Sequence, residues 1–261
     1  ELYKNAIKDK DIYIVVADIS PAGNMTNFQK KHPNRFINVG VSEMTMISMC
    51  AGLALEGKKP FAYTIANFSL YRPFEMVRND ICYQNLPVTI VGMGSGTTYA
   101  NLGGTHITQE DISIARSIPN MSIIAPLDPL ELKQAVKFCC KENKSPIYLR
   151  IGKSGEKNFT YESPEKWKFG KIRKIKQGKD ICILTYGPIV KKAFKIDEEL
   201  TILGYKISIY GCSTLKPFDY DRLSRIFKKY KNIIILEDHS IIGGLNDIIK
   251  VNAFEKIIQE I

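Results

Sequence analysis

Five short apolar runs punctuate the first 152 residues, at positions 12–17, 60–65, 88–91, 121–125 and 147–151, with helix-length stretches between most of them. Runs that stay apolar at nearly every position suit strands covered on both faces. Helical crossovers between such strands impose a parallel sheet. In sheets of this kind ligands bind outside the carboxyl ends of the strands. A site is therefore expected in the loops after Ala17, Ile65 and Val91. The loop after Ala17 is a long connection through Ser20-Pro21-Ala22-Gly23-Asn24, and the one after Val91 is a glycine-rich stretch from Gly92 to Gly104.

Helices are expected over 74–83 and near 109–117. Asp128-Pro129-Leu130-Glu131 opens another, with an N-cap, a proline at the first helical position and a capping-box glutamate. The stretch 152–178 breaks the alternation. It holds Pro164, the only tryptophan, Trp167, and a run of lysines, and reads as a crossing between domains. Strands are then expected at 181–185, 207–210 and 233–236, with helices over 190–203 and 219–230. The fold class is thus α/β with two domains. We place the first at 1–152, a linker at 153–169, and a second at 170–261 that, with three strands only, reads as cut short.

Composition removes several function classes. At 44% hydrophobic and 25% charged residues, the chain is that of an ordinary globular protein. No apolar run approaches the length of a bilayer span, and the start at Glu1 is no signal peptide, so a membrane role is not expected and a cytoplasmic setting is. The net charge of +10 invites nucleic acid, but the lysines are spread over surface stretches and no recognition motif accompanies them. Six cysteines show no ligand-like spacing with the three histidines and read as small buried residues in a reducing compartment.

The stretch Asn38-Val39-Gly40-Val41-Ser42-Glu43-Met44 sets a single carboxylate at the mouth of a helix that is apolar nearly all round as far as Gly57. Such a helix is expected to be buried on all sides, in a core or a subunit interface. Ser42 is its expected N-cap. Glu43 has two readings: complement to the helix dipole, or a carboxylate facing a ligand. Three further features carry the same ambiguity. Phe68, Tyr71 and Phe74 would stack a flat heterocycle or fill a core. Gly103-Gly104-Thr105-His106 delivers a histidine on a flexible loop, where function concentrates. Arg150, at the end of a strand, would form a structural ion pair or meet an anion with its fork of donors.

In this order and spacing the segments resemble one family. Asn38 to Glu43 is similar to the transketolase stretch NVGIAEQ. Tyr83-Gln84-Asn85-Leu86-Pro87-Val88 resembles the strand entry after the aromatic helix of that family. Gly104-Thr105-His106, with Glu110-Asp111-Ile112 and Ile118-Pro119-Asn120-Met121, resembles its substrate-histidine loop. Glu237-Asp238-His239-Ser240-Ile241-Ile242-Gly243-Gly244-Leu245 resembles the signature of its C-terminal domain. The whole is similar to the C-terminal half of a transketolase, which some bacteria and archaea supply as a separate subunit.

The resemblance implies a thiamine-diphosphate pyrimidine-binding sheet followed by a transketolase C-terminal domain, and thiamine diphosphate as cofactor. It implies that Glu43 is catalytic, hydrogen-bonding N1′ of the aminopyrimidine through a proton-sharing bond rather than a salt bridge. Phe68 would stack on the pyrimidine, and Asp18 would lie close to the cofactor. His106 would be catalytic and contact substrate oxygens, and Arg150 would take a substrate phosphate, with Arg72 a second anion contact. The implied reaction moves a two-carbon ketol unit between sugar phosphates.

The Gly-Asp-Gly pattern with which this superfamily holds Mg²⁺ and diphosphate is missing from the sequence. The resemblance therefore implies an N-terminal transketolase subunit that binds both, and self-association of this subunit to a dimer, which with the partner makes a heterotetramer. Two positions depart from the family. Leu102 stands where a substrate-binding aspartate is expected, and Met44 where glutamine follows the glutamate. The first puts the standard pentose and hexose phosphates in question. The competing readings are the β subunit of a 2-oxoacid dehydrogenase, a deoxyxylulose phosphate synthase-like subunit, or a non-catalytic scaffold.

Overall fold

A computed structural model describes residues 1–19 and 24–259. The connection expected at 20–24 lies, but for the backbone of Asn24, outside the described residues. The elements in order are α1 (Leu2–Lys8), β1 (Ile12–Val16), α2 (Asn24–Lys31), β2 (Phe36–Asn38), α3 (Glu43–Leu55), β3 (Lys59–Ile65), α4 (Ala66–Leu70) and α5 (Phe74–Met76). The helix α5 continues as a π-helical segment, Val77–Tyr83. Then follow β4 (Thr89–Met93), α6 (Asp111–Ser117), β5 (Ser122–Ile124), α7 (Pro129–Lys141) and β6 (Ile147–Ile151). The second half holds β7 (Arg173–Lys176), β8 (Ile181–Thr185), α8 (Val190–Ile202), β9 (Ile207–Gly211), β10 (Thr214–Lys216), α9 (Tyr220–Lys229), β11 (Asn232–Leu236) and α10 (Leu245–Gln259).

The strands form two sheets. The larger runs β10-β5-β6-β4-β3-β1-β2 and is parallel except at its β10 edge. The smaller runs β11-β8-β9-β7, parallel except at β7. The central strands β4 and β6 pair in register, Thr89 opposite Ile147 through Met93 opposite Ile151. Their residues are nearly all buried, which is why they read as unbroken apolar runs. Five of the apolar runs expected in the first half are strands, and the three expected in the second are too.

The expectations fall short at short or polar strands. Phe36–Asn38, Arg173–Lys176 and Thr214–Lys216 are too brief or too charged to stand out from loops. Arg173–Lys176 gives the second sheet a fourth strand. Thr214–Lys216 lies in the second half of the chain yet closes the edge of the first sheet, antiparallel to β5. All six cysteines are buried thiols without disulfides, and among the described residues no helix is long and apolar enough to cross a membrane.

Within this one chain, helix α3 is covered along one stripe only. Met46, Ile47, Cys50, Ala51 and Ala54 pack into the core, while Met44, Met49 and Leu55 lie open, Leu55 at 63% exposure. One stripe therefore seals the sheet and the opposite apolar stripe faces solvent. Ser42 precedes the helix without capping it through its side chain; its hydroxyl instead lies 2.6 Å from Thr45 Oγ1.

The cap at α7 behaves as expected and does more. Asp128 Oδ1 accepts the Glu131 amide at 2.9 Å. Its Oδ2 accepts the amides of Phe159 and Thr160 at 2.8 and 2.7 Å, pinning the stretch that leads into the second sheet. Replacing Asp128 by Ala removes a cap and leaves two further amides without an acceptor. We predict a loss of about 2–4 kcal/mol in urea unfolding, from the usual cost of a lost cap plus unsatisfied buried donors.

Candidate active site at the carboxyl edge of the large sheet

The sequence-expected residues converge where the parallel sheet ends. Asp18 follows β1, Glu43 follows β2, Phe68 follows β3, and His106 lies in the long loop after β4. Asn38 ties the first two segments together. Its Oδ1 accepts the amide of Asp18 at 3.1 Å and that of Gly40 at 3.0 Å, shaping the turn that leads into α3. Asp18 itself is exposed and takes a left-handed backbone, φ 44°.

Glu43 is 3% exposed at the first turn of α3. Its partner is Arg72, whose Nη1 donates to Oε1 at 3.0 Å and to Oε2 at 2.9 Å. The guanidinium also lies over the Phe68 ring, Cζ 4.8 Å from the centroid. His106 meets the same ring edge-on, centroids 5.4 Å apart, and its Nδ1 is 2.9 Å from Thr105 Oγ1. Glu43, Arg72, Phe68 and His106 thus form one contiguous set. Its core is a carboxylate beside an aromatic face, bridged by a planar cation.

Of the residues that hold this set in place, the sequence reading names Tyr71 only as an aromatic and gives Asn67 and Thr108 no role. Asn67, next to Phe68, donates to Ile107 O at 2.9 Å and accepts the hydroxyl of Thr108, locking the histidine loop to the segment after β3. Tyr71 accepts the Glu110 amide at 3.1 Å and donates to the Glu110 carboxylate at 2.9 Å. Burial pushes the Tyr71 phenol well up, with the Asp111 charge adding to it. A polar residue adjoining a suspected stacking aromatic was the available signal for Asn67. The family resemblance implies an anion contact for Arg72, but nothing in its spacing identifies Glu43 as that anion.

Arg150 forms a buried ion pair and does not open onto solvent, so it does not meet a substrate phosphate directly. It is 2% exposed, with Nε donating to Asp111 Oδ2 at 2.8 Å and Nη2 to the carbonyls of Thr108 and Asp238 at 3.3 and 3.0 Å. Tyr148 donates to the same Asp111 oxygen at 2.8 Å. Burial works against the guanidinium's charge, but Asp111 more than offsets it and the net shift is upward. Asp111 Oδ1 and His239 Nε2, buried 3.8 Å apart, have no hydrogen-bond partner of their own.

The C-terminal signature meets the sheet edge at this point. Asp238 Oδ2 accepts from Thr97 N and Oγ1, at 2.9 and 3.0 Å. It passes so close to Gly96 (φ 65°) that a Cβ there would sit 2.3 Å from the oxygen. Glu237 caps α10 by accepting the amides of Leu245 and Asn246. Beside them is a cavity of about 790 Å³ whose lining includes Thr97, Lys153, Glu156, Lys191, Lys192 and Asp238. Burial raises the Glu156 carboxyl, against the pull of the Lys153 amide and the Lys191 ammonium.

Arg150→Met strands Asp111 as a buried, unpaired carboxylate. We predict a loss of about 3–5 kcal/mol in chemical unfolding, the cost expected when one partner of a buried ion pair is removed. The Arg150→Met/Asp111→Leu double variant is predicted to recover much of it.

The chain is similar to known proteins along nearly its whole length. Residues 1–155 match the family model of the transketolase pyrimidine binding domain, and residues 170–260 that of the transketolase C-terminal domain. A Methanocaldococcus jannaschii chain, named by inference a transketolase C-terminal section, is 36% identical over 95% of this chain and 79% of its own length. A 6-deoxy-6-sulfo-D-fructose transketolase subunit of Clostridium sp. strain MSTE9 is 34% identical over 94% of this chain and 75% of its own. Among solved structures, a split gene transketolase described as an inactive beta4 tetramer superposes with a TM-score of 0.86. It is 30% identical and the match covers 98% of this chain and 82% of that one. The chain therefore belongs to the transketolase family, whose enzymes depend on thiamine diphosphate, and carries that family's pyrimidine-binding and C-terminal domains.

Proposed function

We propose that this chain is the pyrimidine-side subunit of a two-chain, thiamine-diphosphate-dependent transketolase that moves a two-carbon ketol unit between sugars bearing an anionic group. The observation that carries this reading is the buried Glu43 carboxylate beside the Phe68 face, bridged by the Arg72 guanidinium. A planar, N–H-bearing cation already satisfies both groups. An aminopyrimidine makes the same two demands, a hydrogen bond to the carboxylate and stacking on the ring, so the residues present fit the cofactor. When bound, thiamine diphosphate supplies the nucleophilic carbon and the electron sink for the transferred unit.

Within this reading Glu43 holds the shared proton at the pyrimidine nitrogen, Phe68 orients the ring, and Asp18 borders it. His106, half-buried at the edge of the Phe68 ring, contacts substrate oxygens. Arg150 serves the substrate site by positioning the backbone of Thr108 and Asp238. The anionic end of the sugar lies in the cavity lined by Lys153, Lys191 and Lys192, since ammonium groups favour a phosphate or sulfonate. Leu102, 51% exposed, puts no carboxylate at the rim of the histidine loop, which favours substrates with fewer hydroxyls to bind there.

Mg²⁺ and the diphosphate are assigned to a partner subunit that carries the Gly-Asp-Gly pattern absent from this sequence. The open apolar stripe of α3, with Met44, Met49 and Leu55, is assigned to contacts between subunits. We place the domain boundary in the stretch 153–169.

The test is reconstitution with an N-terminal transketolase subunit, thiamine diphosphate and Mg²⁺, following ketol transfer from a ketose phosphate to an aldose. Turnover is expected from the pair and not from either chain alone. Glu43→Ala is predicted to lower kcat by about 10²- to 10⁴-fold, the usual contribution of a positioned proton-transfer group, with assembly retained on gel filtration. Unchanged turnover in that variant would sink the catalytic reading in favour of a scaffold. Release of CO₂ from pyruvate would redirect it to a decarboxylating enzyme.

A further inference from the structure

Arg72 makes two contacts, and both are to groups that the cofactor needs. Its Nη1 lies 3.0 and 2.9 Å from the two oxygens of Glu43, so one nitrogen straddles the whole carboxylate. Its Cζ stands 4.8 Å over the centroid of Phe68 and covers that ring. A heterocycle stacked on Phe68 and bonded to Glu43 has to displace the guanidinium from both.

The surroundings permit that displacement. The Glu43 side chain is 4% exposed, whereas the Arg72 side chain is 47% exposed. Arg72 follows α4 at the protein surface, and its guanidinium can leave without unpacking the core. Glu43 cannot follow it, because it is held at the buried first turn of α3. A buried carboxylate left without a cation is costly, so Arg72 has a physical reason to stay in place until another donor reaches Glu43. Once a ring donates to Glu43, that reason is gone.

We infer that Arg72 is a displaceable stand-in for the aminopyrimidine, satisfying Glu43 and covering Phe68 until the cofactor docks and then leaving both. The inference rests on the cofactor reading above. It makes Arg72 a determinant of cofactor affinity rather than a substrate anchor. Binding is weakened by the fraction of molecules in which Arg72 is closed, as for any protein whose competent state is only partly populated.

The experiment titrates the reconstituted two-subunit complex with thiamine diphosphate at saturating Mg²⁺, in the absence of substrate, and follows near-ultraviolet circular dichroism. Arg72→Met is expected to tighten the cofactor Kd by about tenfold, through release from the closed state. Arg72→Lys keeps the charge but covers less of the ring, and guards against a folding defect in the first variant. Its expected tightening lies between wild type and Arg72→Met. The KM for the ketose phosphate should stay within about twofold of wild type in both, since the inference gives Arg72 no substrate contact.

Equal or weaker cofactor binding in both variants would overturn the inference and leave the cofactor reading standing. A raised KM with unchanged Kd would likewise overturn it, making Arg72 a substrate anchor. Failure of the wild-type complex to bind thiamine diphosphate would overturn both.

Discussion

The pairing of Arg150 with Asp111 is the constraint on which the rest of the structure depends. It joins the end of a central strand, β6, to the start of α6, and through Arg150 it reaches the Asp238 carbonyl beyond β11. Two charges this deeply buried are stable only when their remaining donors and acceptors are engaged. Tyr148, Thr108 and Asp238 meet most of that demand. The pair therefore dictates that the loop after β4 and the loop after β11 lie against each other. His106 sits two residues before Thr108 in the first of these loops, so the site inherits its geometry from an ion pair it does not contain.

A second buried pair repeats the device on the other side. Glu131, on α7, meets Arg173, on β7, at 2.8 Å and also accepts the Leu127 amide and the Ser213 hydroxyl. Burial raises the Glu131 carboxyl, while Ser213, the Leu127 amide and Arg173 pull it back. The first junction thus crosses through Arg150 to the Asp238 carbonyl, and the second through Glu131 to Arg173 of the smaller sheet. Apolar packing supports them, since one continuous cluster includes Ala125 and Ile172 together with Leu215 and Leu223.

What was legible in the sequence follows from which signals are local. Strands such as Thr89–Met93 and Ile181–Thr185 are buried on both faces, so their composition announces them. Thr214–Lys216 owes its strand character to pairing with Ile123 and Ile124, about ninety residues earlier, and nothing within three residues records that. Glu43 and His106 stand beside a helix entry and a glycine turn, and Phe68 in a cluster of aromatics after a strand, so each was visible locally. Asn67 and Thr108 were not, because their importance lies in bonding to each other across the chain. Arg150 shows the remaining limit. Its residue type suits a phosphate and a buried carboxylate equally, and only the fold decides which it meets.

The antiparallel edge strand β10 has a consequence for the chain as a manufactured object. The large sheet lists its last member near residue 216, so an emerging polypeptide that has finished β6 still carries β5 as an open edge. Until synthesis reaches β10, that edge is available to any extended segment nearby. The two halves of this chain are therefore neighbours in space and also tied in time. A cut between them would give a first half with a sticky margin.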